Sequence, residues 1–238
     1  SDNGGGSKNT PLQGGKAKMW EGGLRVPMIV AGPGIAPNSQ CDQPVAQWDY
    51  LTTVHDLAGS KAPLPDDLDG ISLRTVFEKG NAGKLAKRDT GLVFHFPAHY
   101  TTPITSYRNG DYKLMRQLNT GEVKLFNVVT DMGESKELSK IMPDKTKEMI
   151  RDLDAYLKKV GAWTMKEVYD TRKEELEDWL MRDKKEVTEI NLQLARADSN
   201  AAEIKKLKAE LKFIQLRQAK QLKSLEQLSA NGKSTRWF

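Results

Sequence analysis

The run Pro27-Met28-Ile29-Val30-Ala31, which leads into a Gly-Pro-Gly turn, decides the fold class of this chain. The run has the length of a strand, and the glycines and proline after it end it. A helix is predicted over roughly 50–58, because Asp49 can cap its start and Gly59 lies just past its end. A strand followed by a helix is the unit of an α/β sandwich. The sequence therefore predicts an α/β fold for residues 1–90.

Three glycine-framed clusters near the start of the chain carry polar groups suited to chemistry. They are Ser1-Asp2-Asn3-Gly4-Gly5, Gly14-Gly15-Lys16 and Glu21-Gly22-Gly23-Leu24-Arg25-Val26-Pro27. Asp2 and Asn3 both offer oxygen ligands, which suit a hard divalent cation. The ammonium of Lys16 suits an anionic ester, because it can neutralise oxyanion charge as that charge develops. Taken alone, Asp2 and Asn3 would more simply form an Asx-rich turn; together with Lys16 they indicate half of an active site.

These clusters, in this order and spacing, resemble the sulfatase family of the alkaline-phosphatase-like superfamily. The resemblance continues through Trp48-Asp49-Tyr50-Leu51-Thr52-Thr53-Val54, Asp69-Gly70-Ile71-Ser72-Leu73 and Tyr107-Arg108-Asn109-Gly110-Asp111-Tyr112-Lys113-Leu114. Several independent motifs at compatible spacing are more specific than one short pattern. The resemblance implies that residues 1–90 are the C-terminal part of a sulfatase catalytic domain. It also implies that residues 91–162 form a small C-terminal subdomain, an antiparallel sheet packed by a helix.

The resemblance implies roles for five residues. Asp2 and Asn3 match two ligands of a calcium ion. Lys16 matches a lysine that contacts the sulfate group and the bridging-oxygen side of the substrate. His95 and His99 lie in a segment that resembles those reaching the substrate pocket in some sulfatases, although a histidine among aromatic residues is more often packed in a strand or loop.

The remaining groups of the glycine clusters are interpreted as structural. Gly14 and Gly15 would let the backbone come close to a ligand. Glu21 and Arg25 can brace their loop by an ion pair, and ion pairs of this kind outnumber catalytic uses.

The nucleophile of the family has no counterpart in these 238 residues. Sulfatases use a formylglycine, matured from the Cys or Ser of a C/S-x-P-x-R motif. The sequence after Cys41 is Asp42-Gln43-Pro44-Val45, so proline stands one place too late and no arginine follows. Cys41 is therefore interpreted as a loop or core cysteine. The formylglycine and two further acidic ligands are expected in an N-terminal half upstream of Ser1, so the chain alone is expected to be an inactive, incomplete portion.

The leading interpretation is a calcium-dependent sulfuric ester hydrolase that acts on a sulfated small molecule or glycan. Two alternatives stay open: a phosphoric ester hydrolase of the same superfamily, and a non-catalytic interaction module that uses the helical tail. The family resemblance implies a periplasmic, extracellular or lysosome-like location. The net charge of +5 comes from interleaved charges, 37 basic and 32 acidic, so nucleic-acid binding is not expected. No apolar run approaches the ~20 residues of a membrane span.

The region 91–162 has the pattern of an α+β subdomain. Strands are predicted over 91–96 and 122–127, a hairpin over 105–115 and a helix over roughly 143–159. The hairpin is predicted because Asn109-Gly110 favours a type I′ turn.

The extension 163–238 has a different composition, with Glu, Lys, Leu and Gln dominating. Apolar residues recur in two series, at 165, 169, 176, 180, 187, 190 and 194, and at Ile204, Leu207, Leu211, Ile214, Leu222, Leu225 and Leu228. Asn200 and Glu203 have capping-box spacing, so a second helix can begin there. An antiparallel helical hairpin or coiled coil is predicted, with one continuous helix as the rival. Each arm has a leucine stripe, which makes helix–helix self-association a candidate interaction.

Overall fold

A computed structural model describes residues 3–6, 9–97, 103–197 and 200–232, with side chains of the last helix up to residue 227. Its elements in chain order are α1 (Glu21–Leu24), α2 (Asp49–Leu57), α3 (Arg74–Lys79), a 3₁₀ turn (Gly80–Ala82), β1 (Leu92–Phe96), β2 (Ile104–Asn109), β3 (Tyr112–Gln117), β4 (Val123–Asn127), α4 (Pro143–Lys159), α5 (Met165–Arg196) and α6 (Ala201–Gly232). The described strands form an antiparallel sheet in the order β1-β2-β3-β4. The predicted α/β class, with this sheet and long C-terminal helices, is confirmed for the chain, although the described part of residues 1–90, for which an α/β fold was predicted, contains no strand.

The chain divides into two compact units. The first combines Ser1–His95, Thr105–Arg116 and Val123–Val160, and the second combines Phe96–Ile104, Gln117–Glu122 and Gly161–Phe238. The domain boundaries expected from the sequence, after residues 90 and 162, stay a prediction.

The core of the first unit lies between the sheet and α4. Tyr107 of β2, Leu114 of β3 and Leu125 of β4 are buried in one cluster. Met149 and Leu153 of α4 pack into the same cluster, because a spacing of four residues places both on one helix face. The predicted third strand and the predicted helix are therefore confirmed as β4 and α4.

The predicted hairpin is confirmed as β2 and β3, but its turn is shifted by one residue. Because β2 ends at Asn109, the two turn residues are Gly110 and Asp111. Gly110 has a φ of +60°, whereas Asp111 has no positive φ. A type I′ turn needs positive φ at both central residues, so the predicted turn type is wrong. A glycine at the first central position alone is the pattern of a type II′ turn.

The strand predicted over residues 27–31 is wrong. These residues belong to no strand, and Ile29 is 94% exposed. A strand forms only where a neighbouring strand shares its backbone hydrogen bonds. The described strands all lie between Leu92 and Asn127 and pair with one another. The length and apolar composition of residues 27–31 give no information on whether another strand lies beside them.

The helix predicted from Asp49 is present as α2, but Asp49 does not cap it. Asp49 is the first helical residue, and its buried carboxylate accepts hydrogen bonds from the backbone N–H groups of Ala46 and Ile71. The same carboxylate pairs with Arg88. It therefore ties the start of α2 to two later parts of the chain. Gly59 follows the helix with a φ of +62°, as predicted.

In the second unit, α5 and α6 pack as an antiparallel hairpin. Asp183 of α5 pairs with Arg217 of α6, whereas the later Ile190 packs with the earlier Leu207. Residue numbers thus rise along one helix as they fall along the other, so the rival of one continuous helix is wrong. The predicted start of α6 is confirmed, since the side-chain oxygen of Asn200 accepts the N–H of Glu203 at 3.3 Å.

The packed seam of α6 differs from the predicted leucine series after Ile214. Leu222 is 52% exposed, whereas Gln221 is buried. Steps of alternately three and four residues lead from Ile214 to 218 and 221, because that spacing keeps one helix face toward its partner. On α5 the buried Asp183 fills the gap between the predicted Leu180 and Val187. Asp183 and Gln221 are polar, so the apolar periodicity of the sequence did not place them in the seam.

Candidate functional site

The three glycine clusters meet backbone to backbone. They are joined by three backbone hydrogen bonds, named donor first: Gly4 to Gly23 at 3.0 Å, Gly22 to Gln13 at 2.8 Å, and Lys16 to Gly5 at 2.9 Å. The three clusters thus form one folded loop system around Lys16.

Glycine is required at this junction because no side chain would fit. A Cβ on Gly4 would lie 1.9 Å from the carbonyl oxygen of Gly22. A Cβ on Gly23 would lie 2.0 Å from the carbonyl oxygen of Lys18. Real Cβ atoms do not approach oxygen so closely, so these glycines serve close backbone packing.

Asn9 is a site residue that the sequence search missed. Its side-chain Nδ2 lies within hydrogen-bond distance of three carbonyl oxygens, those of Gly5 (3.2 Å), Gly14 (3.0 Å) and Gly22 (3.2 Å). One residue therefore touches all three glycine clusters. The only sequence signal was an asparagine between two glycine clusters, which by itself indicates a turn.

An open pocket of about 480 Å³ lies over this loop system. Its lining includes the predicted residues Asn3 and Lys16, together with Asn9, Gly22 and Arg25. The structure thus brings together Asn3 and Lys16, which are 13 positions apart in the sequence.

The other predicted site residues are placed differently or lie outside the described residues. Asp2 and His99 are outside them. His95 is on β1, where its Nδ1 lies 2.7 Å from the hydroxyl of Thr105, and it is not among the described residues that line the pocket. Cys41 is exposed in a loop, as one of its two interpretations required.

A buried charge cluster adjoins the pocket through Arg25. Glu21 accepts from Arg25 at 2.5 Å, so the predicted brace between them is confirmed. Lys113 of β3 lies 2.9 Å from one oxygen of Glu21 and 2.7 Å from one oxygen of Glu134. Arg108 of β2 lies 4.0 Å from Glu21. The side chains of Glu21, Lys113 and Glu134 are at most 4% exposed.

Burial and charge act differently on the two carboxyl groups. Burial alone would raise the pKa of Glu21, but Lys113 and Arg25 outweigh it and hold that pKa below the ordinary value. Burial dominates at Glu134 and raises its pKa, even though Lys113 and the Glu21 N–H favour the charged form. Burial also lowers the pKa of Arg108.

The charge balance beside the pocket favours an anion. Of the charge cluster, Arg25 lines the pocket, whereas the carboxylates of Glu21 and Glu134 are not among the described residues that line it. Lys16 adds a further positive charge on the pocket wall. Clefts lined by an excess of one charge concentrate ligands of the opposite sign.

The backbone next to Lys16 is held in an uncommon conformation. Ala17 has a φ of +63°, in the left-handed region that a residue with a Cβ rarely occupies. Such conformations persist where surrounding contacts determine the backbone, and they cluster at functional sites. Their presence here agrees with a loop built to place one side chain.

The described residues contain no group of three or more His, Cys, Asp or Glu side chains arranged to hold a metal ion. Of the two predicted calcium ligands, Asn3 lies within the described residues and Asp2 does not. The side-chain amide oxygen of Asn3 is a type of ligand that calcium binds. The structure also contains no helix, within its described residues, that is long and apolar enough to cross a membrane.

Comparison with known proteins places this geometry in a family. Residues 15–162 match the family described as N-sulphoglucosamine sulphohydrolase, C-terminal. The chain is similar to a sulfatase of Formosa agariphila, with 33% identity over 184 residues that make up 70% of this chain and 32% of that protein. It is also similar to human steryl-sulfatase, with 38% identity over 102 residues, which are 42% of this chain and 16% of that protein.

Among solved structures, the crystal structure of Ps i-CgsB matches with a TM-score of 0.55 and 29% identity, over 66% of this chain and 35% of that chain. The same protein in complex with k-i-k-neocarrahexaose gives a TM-score of 0.53. This chain therefore spans about a third or less of the length of these relatives.

Proposed function

Because this chain belongs to the sulfatase family, as the match of residues 15–162 to its C-terminal region shows, we propose that it forms the C-terminal part of an enzyme that hydrolyses sulfate esters. The observation that carries the proposal is the pocket shared by Asn3 and Lys16, because the charged side chains among its described lining residues, Lys16 and Arg25, are both cationic. A sulfate ester is anionic before and during cleavage, so a pocket of this charge favours it.

Lys16 is the proposed catalytic and substrate-binding residue. Its backbone N–H is fixed by Gly5, and the left-handed Ala17 follows it, so the loop presents the side chain at the pocket wall. The ammonium would bind sulfate oxygens and offset the negative charge that builds on the ester oxygen as the S–O bond breaks. A preorganised charge of this kind stabilises the transition state more than the ground state.

The calcium ion and the formylglycine of the family are part of the proposal. Asn3, on the wall of the pocket, fits calcium in the chemistry of its donor, and Asp2 would be a second ligand. Bound calcium would supply positive charge beside the sulfate group. The formylglycine would have to come from a segment other than these residues, since Cys41 lacks the required motif. We therefore propose that this chain alone does not hydrolyse sulfate esters.

The substrate is proposed to be a sulfated small molecule or glycan. Support comes from the relatives, since one is named a steryl-sulfatase and another was solved with k-i-k-neocarrahexaose. His95 and His99 are proposed as secondary substrate contacts. A location outside the cytoplasm, as the family resemblance implies, is proposed with them.

The test compares Lys16→Ala with Lys18→Ala in a complete sulfatase that contains this chain. Lys18 is a matched control, because it is a nearby exposed lysine that is not among the described residues lining the pocket. We expect Lys16→Ala to lower the rate by roughly 10²–10³, the usual loss for one oxyanion-stabilising group, and Lys18→Ala to leave it unchanged. An equal rate in all three proteins would remove Lys16 from the site.

The same assay distinguishes the reaction classes. Sulfate and phosphate esters of one chromophore are offered, with added calcium and after chelation. Faster turnover of the phosphate ester would identify a phosphoric ester hydrolase instead. No turnover of either ester by the complete protein would favour a non-catalytic module. Metal-dependent turnover by the purified 238-residue chain would contradict its proposed inactivity.

A further inference from the structure

Glu134 lies in the segment after β4, 118 positions from Lys16, yet it contacts the loop that carries that lysine. One carboxylate oxygen accepts the backbone N–H of Glu21 at 2.7 Å, and its backbone carbonyl accepts the side-chain amide of Gln13 at 2.7 Å. Gln13 and Glu21 bracket the part of the loop that holds Lys16. Glu134 therefore touches both ends of this loop, which we call the lysine loop, residues 13–21.

The two ends of the lysine loop are also joined to each other. The carbonyl of Gln13 accepts the N–H of Gly22 at 2.8 Å, directly beside the Glu134 contact to Glu21. The loop is thus closed by a backbone bond, and both sides of this closure are bonded to Glu134. Removing the Glu134 side chain would leave two of these three hydrogen bonds, because Gln13 donates to the backbone carbonyl of Glu134 and only the Glu21 N–H donates to its carboxylate.

Glu134 occupies a position that by itself opposes folding. Its carboxylate is buried, and its φ of +53° lies in the left-handed region. Each feature opposes folding unless specific partners offset it. Lys113, anchored in β3 within the sheet, lies 2.7 Å from the carboxylate and partly offsets the cost of burying its charge. Glu134 therefore connects the lysine loop to β3 through Lys113.

We propose that Glu134 is a positioning residue for Lys16: it closes the lysine loop and fixes it to the sheet through Lys113. The proposal rests on the proposed role of Lys16 in binding the sulfate group. Glu134 itself is not among the described residues lining the pocket, so it acts through the loop.

The test uses a complete sulfatase that contains this chain, with inorganic sulfate as the probe and amide NMR as the readout. Glu134→Ala is compared with Glu148→Ala, which removes a glutamate from an exposed ion pair with Lys145 on α4. We expect Glu134→Ala to speed hydrogen exchange of the Gly22 amide and to weaken sulfate binding, each by about tenfold, since one lost buried hydrogen bond is worth about that factor. The Leu138 amide, which donates to Leu125 in the first unit, should exchange as in the wild type.

Two further variants separate positioning from general stability. Glu134→Gln keeps an oxygen that can accept the Glu21 N–H and should restore part of the Gly22 protection. Gln13→Ala truncates the side chain of an exposed residue and removes one hydrogen bond, the bond to the Glu134 carbonyl. It therefore tests the closure of the loop even if Glu134→Ala does not fold. Gln13→Ala should raise Gly22 exchange and weaken sulfate binding in the same direction.

The outcomes for Glu134 and Lys16 can be distinguished. Lys16→Ala should abolish the sulfate-induced shifts without changing Gly22 exchange. Absence of any sulfate-induced shift in the wild type would contradict the proposed role of Lys16, while the exchange rates would still decide whether Glu134 closes the loop. The positioning proposal is overturned if folded Glu134→Ala keeps wild-type Gly22 exchange, or, where Glu134→Ala does not fold, if Gln13→Ala keeps it.

Discussion

Gly4 and Gly6 have different surroundings although they are only two positions apart in the sequence. A Cβ on Gly4 would overlap the carbonyl oxygen of Gly22, whereas a Cβ on Gly6 would meet nothing within 4 Å. The cost of a methyl group therefore depends on backbone contact and not on membership of a glycine-rich motif. A substitution at Gly4 must move one of the two backbone segments that build the pocket.

Gly4→Ala and Gly6→Ala form a matched pair of variants that tests the effect of this backbone contact on stability. We expect Gly4→Ala to lower the free energy of unfolding of the first unit by about 1–3 kcal/mol, the usual cost of overpacking. Gly6→Ala should change it by less than about 0.5 kcal/mol. Urea denaturation, followed through the methyl NMR signals of Leu114 and Leu125, measures both. Equal stabilities for the two variants would contradict the steric explanation.

Glu21 gives a pH-dependent prediction at the same scale. Its folded pKa lies below the ordinary value of 4.5, because Lys113 and Arg25 outweigh the effect of burial. A depressed pKa stabilises the folded state above the unfolded pKa, and that stabilisation is lost as the pH falls through the folded pKa. Glu21→Gln should therefore be less stable than the wild type at neutral pH.

The stability difference between Glu21→Gln and the wild type should shrink as the pH is lowered below 4.5. Urea titrations at neutral pH and at about pH 3.5 measure this change. Glu148→Gln, in an exposed pair on α4, serves as the control and should show a small difference at both values. A difference for Glu21→Gln that is the same at both values would rule out the ion-pair explanation.

At the scale of elements, local signals determined some structures and not others. The hairpin of β2 and β3, and the helix α4, were predicted because a turn glycine and a helical apolar face are encoded within a few residues. The run 27–31 carried an equally strong local signal and formed no strand, because a strand depends on a neighbour elsewhere in the chain. Elements that depend on residues close in the sequence were therefore predicted correctly, whereas a strand that depends on a distant partner was not.

In the hairpin of α5 and α6, residues next to each other in the sequence differ strongly in how far they are buried. Ile214 is 1% exposed and packs with Ile190, whereas Phe213 is 65% exposed. Ile214→Ala should destabilise the hairpin by about 2–5 kcal/mol, the usual cost of a large core truncation. Phe213→Ala should cost less than about 1 kcal/mol, although it removes a larger side chain. Urea denaturation followed through the methyl signals of Leu207 tests this pair, and a larger loss at Phe213 would show that the seam is misplaced.

At the scale of the whole molecule, the candidate site was only partly predictable from sequence. Asn3 and Lys16 were predicted from nearby clusters and line one pocket, and the Glu21–Arg25 pair spans four residues. Glu134 and Lys113 were missed, because their contacts to Glu21 span 113 and 92 positions. A lone glutamate and a lone lysine carry no local signal for such a contact. Two residues that line the pocket could thus be predicted from their own loop, whereas the buried residues that contact the loop could not.

The antiparallel course of α5 and α6 sets the distance between the two ends of the extension. Since Asp183 pairs with Arg217, residue 170 near the start of α5 lies about opposite residue 230 of α6. Spin labels at Asp170 and Glu226 should therefore lie within roughly 20 Å, because packed helix axes are 8–10 Å apart. One continuous helix would separate them by about 80 Å at a rise of 1.5 Å per residue.

Two controls make the distance measurement decisive. Labels at Asp170 and Glu189 lie within α5 and should read roughly 28 Å, which calibrates the helical rise. Dilution of the doubly labelled protein with an excess of unlabelled chain separates pairing within the chain from self-association. A short distance that survives dilution requires the hairpin, because both labels must then be on one chain. A short distance that disappears on dilution would mean that the leucine-rich arms pair between molecules.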